Sequence, residues 1–176
     1  MRLLTMLLLL LSLSGCANIW RMENGPLTAF SESVHESPDP RFTMVWVNLQ
    51  KQTDARVLQA QVKLTDDAPL TPIGALRPDF VARHLPPFVP PPQWPEVLKE
   101  RARQDDSYQG GGIYVSFRDG RLIFVSLVSR QGGEQFTPQV AAPDSTVPLT
   151  LPLSRAQMEQ VFGAPRRLYR VSEVRY

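Results

Sequence analysis

The chain has 176 residues, 43% of them hydrophobic and 20% charged, which suits one globular domain with a hydrophobic core. Its formal net charge of +2, or +1 once Arg2 is removed with residues 1–15, excludes a bulk nucleic-acid-binding surface, which needs concentrated positive charge. A single cysteine, Cys16, excludes an internal disulfide and a cysteine-rich metal site.

Met1-Arg2 is a short basic start, Leu3 to Leu13 a leucine-dominated stretch, and Ser14-Gly15 a small-residue cleavage site ahead of Cys16. That order is a secretory signal, and the apolar run is too short for a bilayer, which takes about 20 residues. At Leu13-Ser14-Gly15-Cys16 the chain resembles the lipobox of bacterial lipoproteins, matching it at each position. The resemblance implies a diacylglyceryl group on Cys16, cleavage before it and acylation of the new amino terminus. Several acyl chains hold a protein stably where one binds marginally. Ala17 stands where an aspartate favours inner-membrane retention in enteric lipoproteins. Its presence implies sorting to the outer membrane, facing the periplasm. The expected division is residues 1–15 as signal peptide, 16–40 as lipidated N-terminus and tether, and 41–176 as a single domain. Asn24-Gly25-Pro26 and Ser37-Pro38-Asp39-Pro40 are turn signals within the tether.

Phe42 to Leu49 reads as a strand covered on both faces, because Met44, Val45, Trp46 and Val47 form an unbroken apolar run. Arg56 to Leu64 alternates and reads as a half-buried strand, with Lys51 to Asp54 as a hairpin turn between the two. Residues 69–95 hold nine of the 17 prolines and read as a long ordered loop or polyproline II segment. Its large apolar residues, Phe80, Val81, Leu85, Phe88, Val89 and Trp94, suit either packing over the core or a partner-binding ridge. Pro95 to Arg103 is a short helix with Val97, Leu98 and Ala102 toward the core. After a flexible turn at Gly110-Gly111-Gly112, Ile113 to Arg118 and Arg121 to Ser129 form a hairpin around Asp119-Gly120. Residues 131–152 read as irregular. Ser154 opens a second helix with Gln157 completing a capping box, and Gly163 and Pro165 end it. Arg166 to Tyr176 is a final strand. Leu153-Ser154 through Gly163-Ala164-Pro165 resembles the helix-then-Gly-x-Pro element of small outer-membrane assembly lipoproteins of the BamE-like kind; the rest of the chain does not follow that pattern.

Groups for catalysis are scarce. His35 and His84 stand alone, there is no GxSxG serine, and Asp66-Asp67 and Asp105-Asp106 sit in turn-like surroundings. Arg166, Arg167, Arg170 and Arg175 make the last strand basic, as a charged edge or a contact surface. The expectation is an α+β fold: an antiparallel sheet of about five strands with two short helices and long proline-rich loops. The expected function is that of a non-enzymatic binding or assembly lipoprotein of the cell envelope. Its lipid site is Cys16, and its contact residues are Phe88, Trp94, Arg166 and Arg170. Its partners are the membrane and another envelope protein, with no metal, cofactor or nucleic acid. The competing readings are an immunity-type inhibitor of a periplasm-acting toxin and an envelope enzyme.

Overall fold

The computed structural model describes residues 18–23, 27–32, 42–50, 54–129, 136–165 and 167–171; in the first two of these segments and the last, only the backbone is described. The signal peptide, Cys16, His35, Arg166 and Arg175 lie outside the described residues.

The fold is α+β, with antiparallel pairing throughout. It has more strands than the sequence suggests, in two sheets. The larger sheet has seven strands, in the order β11-β1-β2-β3-β8-β7-β6. They are β1 (Asn18–Glu23), β2 (Leu27–Glu32), β3 (Phe42–Asn48), β6 (Asp106–Gly110), β7 (Ile113–Arg118), β8 (Arg121–Val128) and β11 (Arg167–Val171). The smaller sheet runs β10-β9-β4-β5, from β4 (Gln61–Lys63), β5 (Thr71–Pro72), β9 (Gln139–Ala141) and β10 (Leu149–Thr150). Four α-helices are described: α1 (Ala55–Gln59), α2 (Pro78–His84), α3 (Glu96–Arg103) and α4 (Arg155–Phe162).

One apolar core lies on one face of the large sheet. Val45, Val47, Ile113, Val115, Phe117, Val125 and Leu127 supply that face, and Val62 and Val140 come from the small sheet. Val57 of α1, Val81 of α2, and Met158, Val161 and Phe162 of α4 close it. A buried hydroxyl knot fastens the layers. The Thr43 hydroxyl accepts from the Leu153 N–H (2.6 Å) and donates to the Leu153 carbonyl (3.3 Å). The Ser129 hydroxyl in turn accepts from the Thr43 N–H (2.7 Å).

Several local expectations hold. Asp119 and Gly120 have φ of 50° and 71°, as a two-residue hairpin turn requires. Gly111 and Gly112 (φ 53° and 78°) form a second turn of this kind between β6 and β7, tighter than the flexible turn expected. Ser154 and Gln157 form the capping box, and Gly163 ends α4 at φ 90°.

Elsewhere the structure corrects the sequence reading. Residues 56–64 are not one strand. Asp54 caps α1 by accepting from the Arg56 N–H (2.9 Å), Val57 and Ala60 are buried at helical spacing, and only then does β4 begin. The expected hairpin between the two strands is not formed, because β3 pairs with β2 and β8 and not with β4; residues 51–53 lie outside the described residues. β3 is covered on one face, with Val45 and Val47 buried and Trp46 exposed. The 69–95 stretch contains β5, a 3₁₀ turn (Ile73–Ala75) and α2, because Pro78 sits at the first helical position, where no N–H is needed. Residues 131–152 include β9 and β10. Val97 and Leu98 face solvent. Two stretches of the expected tether are β1 and β2, since their backbone groups find partners in β11 and β3.

Candidate functional site

The outer face of the large sheet carries Trp46, Tyr114, Ser116, Phe124 and Ser126, which alternate with the core residues. The proline-rich segment crosses this face at the β6 edge. There the Phe88 N–H donates to the Ser107 carbonyl (2.8 Å) and the Gln109 N–H to the Pro86 carbonyl (3.0 Å), so residues 86–88 pair antiparallel beside β6. Prolines are tolerated at such an edge because it needs few donors.

That docking fixes an aromatic series. Trp94 packs on Phe88 (centroids 5.9 Å apart), Phe88 edge-on against Tyr114 (5.3 Å), and Tyr114 against Phe124 (6.0 Å). Each such pair contributes about 0.5–1.5 kcal/mol beyond burial. Beneath the rings the Tyr114 hydroxyl donates to Ser107 (3.0 Å), whose hydroxyl bonds that of Ser116 (3.0 Å), so the buried serines are satisfied.

On this base stands an apolar ridge. Val89 is 78% exposed, Trp94 38%, Val97 66% and Leu98 42%, and α3 has no buried residue. Fully burying one valine or leucine side chain contributes about 1.5–3 kcal/mol, which α3 leaves available for a contact. Val97 and Arg101 share a helix face at i and i+4, away from the partly buried Lys99 and Ala102. Glu96 bonds Arg103 (2.9 Å) and Lys99 (3.4 Å), which steadies the helix.

Comparison of the chain with protein-family models, curated proteins and solved structures finds no match.

Of the four contact residues expected, the structure brings Phe88 and Trp94 together, with different roles. Phe88 is half-buried and anchors the ridge; Trp94 presents it. Arg170 lies in β11, at the opposite edge of the sheet, so the basic strand and the ridge are separate surfaces. Sequence reasoning missed Trp46, Val97 and Leu98. In α3 the signal was available: Val97 aligns with Arg101 and not with another apolar residue, so no core stripe forms.

The polar groups assemble no catalytic set among the described residues. The Thr65 hydroxyl donates to Asp67 (2.6 Å) and contacts His84 Nδ1 (3.3 Å). The hydroxyl proton is thus given to the carboxylate and is not aimed at the imidazole, which makes this a turn lock. It also holds the Asp67 carboxyl below its ordinary range, with a further contribution from Asp67's own backbone N–H. Asp105 grips Arg118 bidentately (2.7 and 3.1 Å), which raises the guanidinium's affinity for its proton. An open depression of about 530 Å³ has Arg77 and Asp144 among its lining, with no histidine, serine or second carboxylate. Among the described residues no group of three His, Cys, Asp or Glu is placed to hold a metal ion, and no helix is long and apolar enough to cross a membrane.

Proposed function

We propose that this protein is a lipid-anchored envelope protein, attached through Cys16 and facing the periplasm, that works by binding another envelope component and not by catalysis. The observation that carries the reading is the ridge: Trp94, Val97 and Leu98 left in solvent on a base locked by the Phe88–Tyr114–Phe124 packing. Contact residues held on a preordered backbone lose little entropy on binding, which suits recognition. The lipobox resemblance supports the anchor, and the absence of a Ser, Cys or Lys nucleophile motif from the sequence supports the non-catalytic role.

Two measurements in cells test it. Palmitate labelling is expected for the wild-type chain and lost in Cys16→Ser. A photoreactive side chain at position 97 is expected to form adducts with an envelope component, whereas one at Asp66, in the turn after β4, is not. Equal adducts from both positions, or a wild-type protein without label, refute the reading.

A further inference from the structure

We infer that the outer side of the large sheet lies against a lipid bilayer, with Trp94, Val97 and Leu98 seated at the boundary between headgroups and acyl chains. This rests on the lipid-anchored reading above and names the envelope component that the ridge meets.

The first support is the reach of the chain. Only Ala17 separates Cys16 from Asn18, where β1 begins, and two residues span at most about 7 Å. An acylated Cys16 therefore holds the start of β1 at the bilayer surface, with no tether to let the sheet stand clear. The second is where the anchor and the ridge lie. β1 and β6 are five strand spacings apart in one sheet, about 24 Å at about 4.8 Å each. A sheet held at β1 turns until its more apolar side meets the membrane. The third is which side that is. Of the large apolar side chains in solvent, Trp46, Val89, Trp94, Val97 and Leu98 belong to the outer face or its ridge, and Val147 alone lies elsewhere among the described residues. Trp46 at β3 and the ridge over β6 and β7 thus share one side of the sheet whose strand β1 follows the anchor.

The chemistry of the ridge fits a lipid interface. A tryptophan ring with one polar edge prefers the headgroup level. Val97 and Leu98 supply apolar area, and Arg101, on the same helix face as Val97, extends its stem over apolar surface while its guanidinium reaches phosphate. Proteins are the competing occupant, and the test separates the two.

The experiment uses the full acylated protein reconstituted into vesicles of phosphatidylethanolamine and phosphatidylglycerol, doped with phosphatidylcholine brominated on its acyl chains. The chain has three tryptophans, so Trp20→Phe with Trp46→Phe leaves Trp94 as the reporter. The expected result is that the protein floats with the vesicles and that brominated lipid removes most of the Trp94 emission. Val97→Asp with Leu98→Asp, at solvent-facing positions, should keep the melting temperature and the flotation but restore the emission. A floating protein whose Trp94 emits fully overturns the docking while leaving the anchor intact. Full emission together with a discrete protein adduct from position 97 assigns the ridge to a protein partner. A protein that does not float removes the anchored reading, and the docking with it.

Discussion

Thr43 is the place where one hydroxyl holds the two layers of the fold together. Its side chain is fully buried and serves both the N–H and the carbonyl of Leu153, itself buried, which leads into α4. Thr43→Val keeps the shape and removes the hydroxyl. The Leu153 N–H then loses the acceptor at 2.6 Å, and a buried donor left without a partner costs about 1–3 kcal/mol. Thr43→Ser keeps the hydroxyl and deletes one methyl group, costing about 1 kcal/mol by analogy with Ile→Val in a core. At about 2–4 °C per kcal/mol for a chain of this size, Thr43→Val should lower the melting temperature by about 2–12 °C and Thr43→Ser by less. Thermal unfolding followed by circular dichroism gives the order. A Thr43→Val variant as stable as the wild type, or more stable than Thr43→Ser, would show that the knot does not hold the layers.

Two glycines with positive φ separate backbone strain from collision. Gly120 has no heavy atom within 4 Å of an added Cβ, so Gly120→Val costs only the φ of 71°, about 1–2 kcal/mol. Gly112→Ala adds a clash with the Val128 carbonyl oxygen and the Pro138 ring, so it should lower the melting temperature further; equal losses at both sites contradict the packing described. Phe88→Ala should cost about 2 kcal/mol because the ring is half-buried against Tyr114, whereas Trp94→Ala should cost about 1 kcal/mol and chiefly change binding; chemical denaturation of both variants decides. Thr65→Val should raise the Asp67 pKa, visible in a carboxyl NMR titration. A depressed native pKa stabilises the fold above the unfolded-state value, and the contribution fades as pH falls through the native value. The variant should therefore lose less stability on acidification, and an unchanged Asp67 titration removes the Thr65 bond from the account.

What was legible in the sequence was whatever neighbouring residues decide among themselves. Asp119-Gly120, the Ser154–Gln157 box and the Gly163 stop are matters of local φ and nearby hydrogen bonds, and they appear where expected. α1 has five residues and α2 seven, too short for an amphipathic repeat to declare itself, and both depend on burying Val57 and Val81 in a core made by distant segments. β1 and β2 pair with each other, but the other edge of β1 is filled by β11 from the far end of the chain, a partner that no local pattern announces. At the candidate site the aromatic pair was legible, since large rings in a proline-rich stretch invite the question. The sidedness was not, because only the docking of residues 86–88 on β6 decides that Trp94, Val97 and Leu98 face outward.

That docking also bears on how the sheet can grow. Residues 86–88 act as a stopper along β6: the strip is built largely of prolines, which offer no N–H to a further strand. At the other end β11 has no strand beyond it among the described residues. A filament of sheets needs two open edges on every member, one to receive and one to extend. Among the described residues the large sheet has one. If two copies meet β11 to β11, the pair uses up the open edge of each large sheet, and growth of that sheet ends at a closed dimer.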